Sequence, residues 1–219
     1  LEIMRRSWSN DRLTFHGDYY DIEDVEVLPK PVQPDGPPVR IAAVSQATYE
    51  RLGAQGELLM LSPNFTPVET IRTNLTSYHE AAETAGHDLK MLKIPPMIQQ
   101  VYIDDCDEIA KSDPEPYAMW FFGKFSEILP GSDGTDVASQ YEDYLKIRDS
   151  VNAVSYDRIV KEGAAFGDYK AIIDRFRMLE EELGVEEIAC WFNFGDLPHE
   201  RVIHNMKLFA DKVMPELAS

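Results

Sequence analysis

Apolar residues along the chain fall into runs of two kinds. Four runs are short and nearly continuous: "VRIAA" at 39–43, "ELLML" at 57–61, "PPMIQQVYID" at 95–104 and "EIACWFNF" at 187–194. Apolarity that persists through both alternating positions marks a strand covered on both faces. Between these runs the apolar positions recur at spacings of three and four, which gathers them on one helical face. Val68, Ile71, Leu75, Tyr78, Ala82 and Ala85 form one such stripe, and Tyr169, Ile172, Phe176, Leu179 and Leu183 a second. Val202, Met206, Phe209 and Val213 form a third, opened by Pro198 and stopped by Pro215. Ser45 to Gln55 is a shorter helix, and Asp113 to Leu129 carries Tyr117, Trp120, Phe121 and Phe125 at helical intervals. Gly56, Gly86 and Gly184 stand where helices need a left-handed cap.

Strand and helix therefore alternate, the pattern of a parallel sheet with helical crossovers. Four strands, each followed by a helix, predict an α/β chain that carries roughly the second half of a TIM (β/α)8 barrel as one domain over 1–219. On this reading residues 39–43, 57–61, 97–103 and 188–193 are adjacent parallel strands in that order. Two segments stand outside the alternation. Residues 11–38 hold strand-like pieces among several prolines and read as an excursion over the surface. Residues 130–163 open on "PGSDGTD" and lack clear periodicity, a candidate mobile lid. The opening "LEIMRRSW" reads as a helix already under way, as if cut from a longer chain. Half a barrel has two open edges, so a homo- or hetero-oligomer, or marginal folding, is expected.

Charge narrows the partners. The 21 Lys and Arg against 39 Asp and Glu give a net charge of −18, which repels phosphate backbones and anionic bilayers, so neither nucleic acid nor a membrane is expected. No apolar run has the length of a membrane span. Cys106 and Cys190 lie in unrelated contexts and read as reduced thiols, which points to a cytoplasmic protein.

In a barrel of this kind the informative residues follow the strands. After the first strand come Ser45, Gln46 and Thr48, two hydroxyls and several unpaired amides at a helix start, where the positive dipole end attracts an anion such as phosphate. Plain helix capping by Ser45 explains the same residues. "HERVIH" at 199–204 has one residue too many for a zinc helix motif, since side chains five apart diverge by about 140°. The acidic run "DDCDE" at 104–108 suits a helix start better than a cation, and no metal site is expected. His79 and His87 read as surface residues, His16 as part of a turn, and Gly167 with Asp168 as a helix cap. No local motif of a nucleophilic enzyme is present, so no catalytic residue is assigned.

Three stretches carry a resemblance: "FHGDYYDIEDVEVLPKPVQPDGPPVRIAAVSQATYERLGAQGELLM", "AAFGDYKAIIDRF" and "GVEEIACWFNFGDLPHERVIHNMKLFADKVMPEL". In order and spacing they resemble the carboxyl-terminal portion of the bacterial luciferase-like flavin monooxygenases. The resemblance implies a (β/α)8 barrel that uses reduced FMN and dioxygen to oxidise a small organic substrate, with a separate flavin reductase as partner. It implies that Ser45, Gln46 and Thr48 hold the FMN phosphate, and that Ser62, Pro63, Asn64 and Phe65 wall the substrate pocket near the flavin ring. Pro63 replaces the aromatic residue of the light-emitting subunit, which implies a different substrate. Catalytic residues are expected in the half of the barrel that precedes this sequence. A non-catalytic, subunit-like flavin-binding protein or an inactive fragment are the alternatives.

Overall fold

The computed structural model describes residues 1–34, 36–90, 92, 96–129, 145, 148, 149 and 151–218, in two compact units, Leu1–Arg40 and Ile41–Ser219. The first unit turns the proline-rich excursion into defined structure. Helix α1 (Glu2–Ser9) precedes an antiparallel hairpin of β1 (Leu13–His16) and β2 (Asp21–Val25), with Phe15 opposite Ile22 and His16 opposite Asp21. Gly17 N–H donates to Tyr20 O at 2.9 Å and closes the turn. Lys30 Nζ donates to the carbonyls of Ser7 (2.8 Å) and Asn10 (2.6 Å), tying the chain after the hairpin to the end of α1.

The second unit is built on parallel strands. β3 (Ile41–Ala42) pairs with β4 (Leu59–Met60), Leu61 continues β4 into a parallel bridge with Met97, and β5 (Met97–Ile103) pairs in register with β7 (Ile188–Trp191). The four expected strands are thus neighbours in the expected order, each pairing parallel. A fifth strand was not expected. β6 (Ala165–Gly167) pairs parallel with the second half of β5, Val101 opposite Ala165 and Ile103 opposite Gly167. Its three residues are too few to show a period, and the last of them is Gly167, which reads as part of a helix cap.

Helices α2 (Gln46–Gln55), α3 (Val68–Thr84), α7 (Tyr169–Leu183) and α8 (His199–Lys212) follow the predicted stripes, and Gly56, Gly86 and Gly184 adopt positive φ of 66°, 82° and 66°. The aromatic stretch after β5 splits at Asp113–Pro114 into α4 (Asp107–Ser112) and α5 (Glu115–Ile128). The short α6 (Tyr156–Arg158) runs into a π-turn at Ile159–Gly163, and α9 (Met214–Leu217) follows α8. Residues 130–144, 146, 147 and 150 of the expected lid lie outside the described residues. Within its remainder, Val151 and Ile159 are buried in the core.

One core holds Leu59, Leu61 and Met97 of the sheet against Leu52 of α2, Ile71 and Tyr78 of α3, and Leu179 of α7. Gly53 permits the α2–α3 crossing: a Cβ there would meet Tyr78 O at 2.2 Å. A second core places Val101 and Ile103 against Ile172 and Phe176 of α7 and Phe209 of α8. Three polar side chains bind backbone. Asn205 Oδ1 accepts from Ile103 N–H at 2.5 Å, fixing α8 on β5. Gln99 Nε2 donates to Gly163 O at 2.6 Å and Arg175 Nη2 donates to Glu162 O, so two side chains hold the end of the π-turn just before β6.

Candidate functional site at the carboxyl ends of the strands

β3 leads directly into the first sequence-predicted group. Ser45 is the N-cap of α2, with extended backbone (φ −90°, ψ 146°), yet its hydroxyl makes no capping bond to the helix. Instead Ser45 Oγ and Thr48 Oγ1 lie 3.0 Å apart and share a hydrogen bond in a half-buried position. Two hydroxyls therefore converge at the helix start, where the amide of Thr48 already bonds Ser45 O at 3.0 Å and the amides of Gln46 and Ala47 precede the first intrahelical bond. No acidic residue stands in that turn. The Gln46 side chain turns toward α3, where Nε2 donates to Glu50 Oε1 (2.8 Å) and to Ser77 Oγ (3.3 Å), leaving its backbone N–H as the group at the helix start.

Ser62, Pro63, Asn64 and Phe65 follow β4, the parallel neighbour of β3, so both predicted groups stand at the same end of adjacent strands. Ser62 O accepts weak turn bonds from the amides of Phe65 (3.4 Å) and Thr66 (3.3 Å). Pro63 and Asn64 are buried, and Asn64 Oδ1 has no hydrogen-bond partner. Phe65 joins an aromatic cluster: its ring centroid is 4.7 Å from Phe125 and 5.8 Å from Phe122, and Phe121 packs edge-on against Trp191 at 4.9 Å. Val151 and Val154, from the chain before the π-turn, pack into the same cluster.

Several residues of this end were not singled out in the sequence. Tyr102 OH donates to Asp113 Oδ2 at 3.1 Å, and Arg201 Nη1 donates to the same oxygen at 2.8 Å. Burial, and then the charge of Asp113, hold the Tyr102 phenol above its ordinary pKa. Tyr156 OH donates to Lys111 O at 2.5 Å, and Lys111 Nζ pairs with Asp107 at 2.6 Å. Gln100 is fully buried with neither Nε2 nor Oε1 bonded. An unmade buried hydrogen bond costs roughly 1–3 kcal/mol, so such a group calls for a reason. A signal for it exists in the sequence: "QQ" interrupts an otherwise apolar strand.

The remaining candidates are not brought together. His199 and His204 are both exposed on α8, and among the described residues no group of three His, Cys, Asp or Glu is arranged to hold a metal. Cys106 and Cys190 are free thiols. No helix among the described residues is long and apolar enough to cross a membrane.

The sequence profile described as luciferase-like monooxygenase matches residues 1–187. The chain belongs to the luciferase-like monooxygenase family. Within it, the chain is 26% identical over 160 residues to an FMNH2-dependent dimethylsulfone monooxygenase of Pseudomonas putida, covering 68% of this chain and 42% of that protein. It is 22% identical to an F420-dependent glucose-6-phosphate dehydrogenase of Segniliparus rotundus, covering 100% of this chain and 59% of that one. Among solved structures, monooxygenase RslO1 from Streptomyces bottropensis shares the fold at a TM-score of 0.64 and 21% identity, over 98% of this chain and 59% of its own. An F420-dependent secondary alcohol dehydrogenase in complex with an F420–acetone adduct does so at 0.65 and 19%, over 99% and 59%. The chain spans about half the length of the curated relatives it matches. Family membership leaves two cofactor types among the relatives, a flavin and the deazaflavin F420.

Proposed function

We propose that this chain is the cofactor-phosphate side of an FMN-dependent oxidoreductase of the luciferase-like type, which oxidises a small organic substrate with reduced flavin and dioxygen. The observation that carries the reading is the convergence of Ser45 Oγ and Thr48 Oγ1, 3.0 Å apart, at the start of a ten-residue helix whose first turn holds no carboxylate. The donor set fits a phosphate: two hydroxyls and the amides of Gln46 and Ala47 donate, and the helix dipole favours the negative charge. The parallel strands are then part of a barrel, the remainder of which lies in the length that the relatives have beyond this match. When bound, the reduced flavin supplies the electrons for the oxidation. The chain's own work is to hold the phosphate with Ser45 and Thr48 and to wall the reaction chamber with Pro63, Asn64 and Phe65. The aromatic rings of Phe121 and Trp191 keep water from it. A separate reductase delivers the reduced flavin and dioxygen is the co-substrate, a reading that similarity to an FMNH2-dependent monooxygenase supports.

The test compares FMN with riboflavin, which lacks the phosphate, by fluorescence quenching. Wild type is expected to bind FMN at least tenfold more tightly, and the double variant Ser45→Ala/Thr48→Ala to bind the two alike, a loss of about 1.4 kcal/mol or more. Equal binding of FMN and riboflavin by wild type would refute the phosphate assignment. A parallel titration with F420 decides between the cofactor types.

A further inference from the structure

Gln100 occupies an unusual position for an amide. It lies in the middle of β5, in register with Trp191 of β7, while Tyr102, two residues on, is in register with Phe166. Residues in register on parallel neighbours project to the same face, and positions two apart share a face, so Gln100, Tyr102, Trp191 and Phe166 line one side of the sheet. That side is covered by the aromatic residues of α5, with Phe121 set edge-on against Trp191 at 4.9 Å and within 6.3 Å of Phe65. Gln100 is 0% exposed, and its donor and its acceptor both lack partners among the described residues. Its neighbour Gln99, on the helix-facing side, bonds Gly163 O through Nε2 at 2.6 Å and leaves only its Oε1 unpaired. At the edge of the same aromatic cluster, Asn64 Oδ1 is a second buried acceptor without a partner.

We propose that Gln100 is the substrate-recognition residue of the chamber, and that the ring of Phe121 occupies the slot a planar aromatic substrate takes when α5 withdraws. The substrate class follows from the lining. Aromatic walls favour a flat apolar body, and one amide that can both donate and accept favours a substituent that does the same, such as a carboxamide. Asn64 Oδ1 adds an acceptor for a second N–H or O–H. Discrimination against a molecule of the same shape without the polar group is then large, because that molecule leaves the buried amide unpaired. The proposal rests on the reading that the carboxyl end of the sheet receives substrate.

The experiment uses the full chain without flavin and measures binding of two probes of similar size, benzamide and ethylbenzene, by titration calorimetry. Wild type is expected to bind benzamide at least tenfold more tightly than ethylbenzene. Gln100→Leu is expected to bring that ratio near one, with a melting temperature no lower than wild type. Phe121→Ala, which empties the slot, should tighten both probes severalfold and keep the ratio. An unchanged ratio in Gln100→Leu overturns the proposal. So does the absence of binding by both wild type and Phe121→Ala, or unfolding of both Gln100→Leu and Gln100→Met, which would make the amide a structural group. The FMN-to-riboflavin ratio is read separately, so failure of either result leaves the other standing.

Discussion

The two faces of β5 are built from one strand and follow opposite rules. On the helix-facing side Met97, Val101 and Ile103 are wholly buried against α3, α7 and α8, and the one polar residue there, Gln99, donates to Gly163 O. On the other side Gln100 has no partner, Tyr102 reaches out to a carboxylate shared with an arginine, and the cover is a helix of aromatic residues. The first face bonds the amide nitrogen of its one polar residue and leaves the Gln99 oxygen unpaired. The second leaves both ends of a buried amide unpaired, on a strand whose carboxyl end is where an α/β fold binds its ligands. Local violations of packing rules at that end are what separate the candidate site from the scaffold holding it.

The contrast is most open to attack on the scaffold side. Met97→Ala removes a fully buried side chain between Leu61 and Ile188 and should cost roughly 2–5 kcal/mol in denaturant unfolding. Phe121→Ala, half-buried on the other face, should cost less, about 1–2 kcal/mol. Equal losses would mean that α5 is as much core as α7. Overpacking gives a second comparison. Gly53→Ala drives a methyl into Tyr78 O, and Gly195→Ala, at φ 60°, drives one into Tyr117 O at 1.8 Å. Each should cost roughly 1–3 kcal/mol. Gly195→Ala alone should loosen α5, visible as faster amide exchange over Glu115–Ile128 with little change in α3.

The scaffold should also lose stability at high pH. Burial pushes the phenols of Tyr49 and Tyr78 up to about 12 from an ordinary 10. A group whose folded pKa is raised contributes stability that is complete below its unfolded pKa and is lost as pH climbs to the folded one. Stability should therefore hold to about pH 10 and decline between about 10 and 12, and Tyr49→Phe together with Tyr78→Phe should flatten that decline. Titration of all ten tyrosines at an ordinary pKa, with no linked unfolding, would remove this basis for the comparison.

Much of the scaffold was legible because its signals are periodic. The stripes from Val68 and from Tyr169 specified their helices, the capping glycines specified the ends, and the apolar runs specified four strands and their parallel order. β6 was missed because three residues carry no period and its formation depends on the half of β5 left uncovered by β7. The hairpin in the first unit was hidden by prolines, all of which lie after it. The candidate site was less legible. Ser45 and Thr48 stood out because they follow a strand and open a helix, but that the two hydroxyls bond each other is a matter of rotamers. The bond from the Gln46 side chain to Ser77 on α3 spans 31 residues and has no local signal. Asp113 and Arg201 meet across 88 residues, a distance over which no spacing rule operates.

The smallest expected effect separates the faces most sharply, because it compares the same substitution at adjacent positions. Gln99→Leu removes the donor to Gly163 O and strands a buried carbonyl beside the π-turn, which should cost about 1–3 kcal/mol. Gln100→Leu exchanges an amide without partners for an apolar side chain of similar volume, and replacing an unsatisfied group this way is nearly neutral or stabilising, so the change should lie within about 0.5 kcal/mol of zero or raise stability. Both changes add an apolar side chain to the same strand and lower its polarity equally, so a difference between them reports hydrogen bonding and not hydrophobicity. Unfolding in urea measures both on one scale. If Gln100→Leu costs as much as Gln99→Leu, the two faces of β5 are equally structural, and the unpaired amide no longer distinguishes the candidate site from the core.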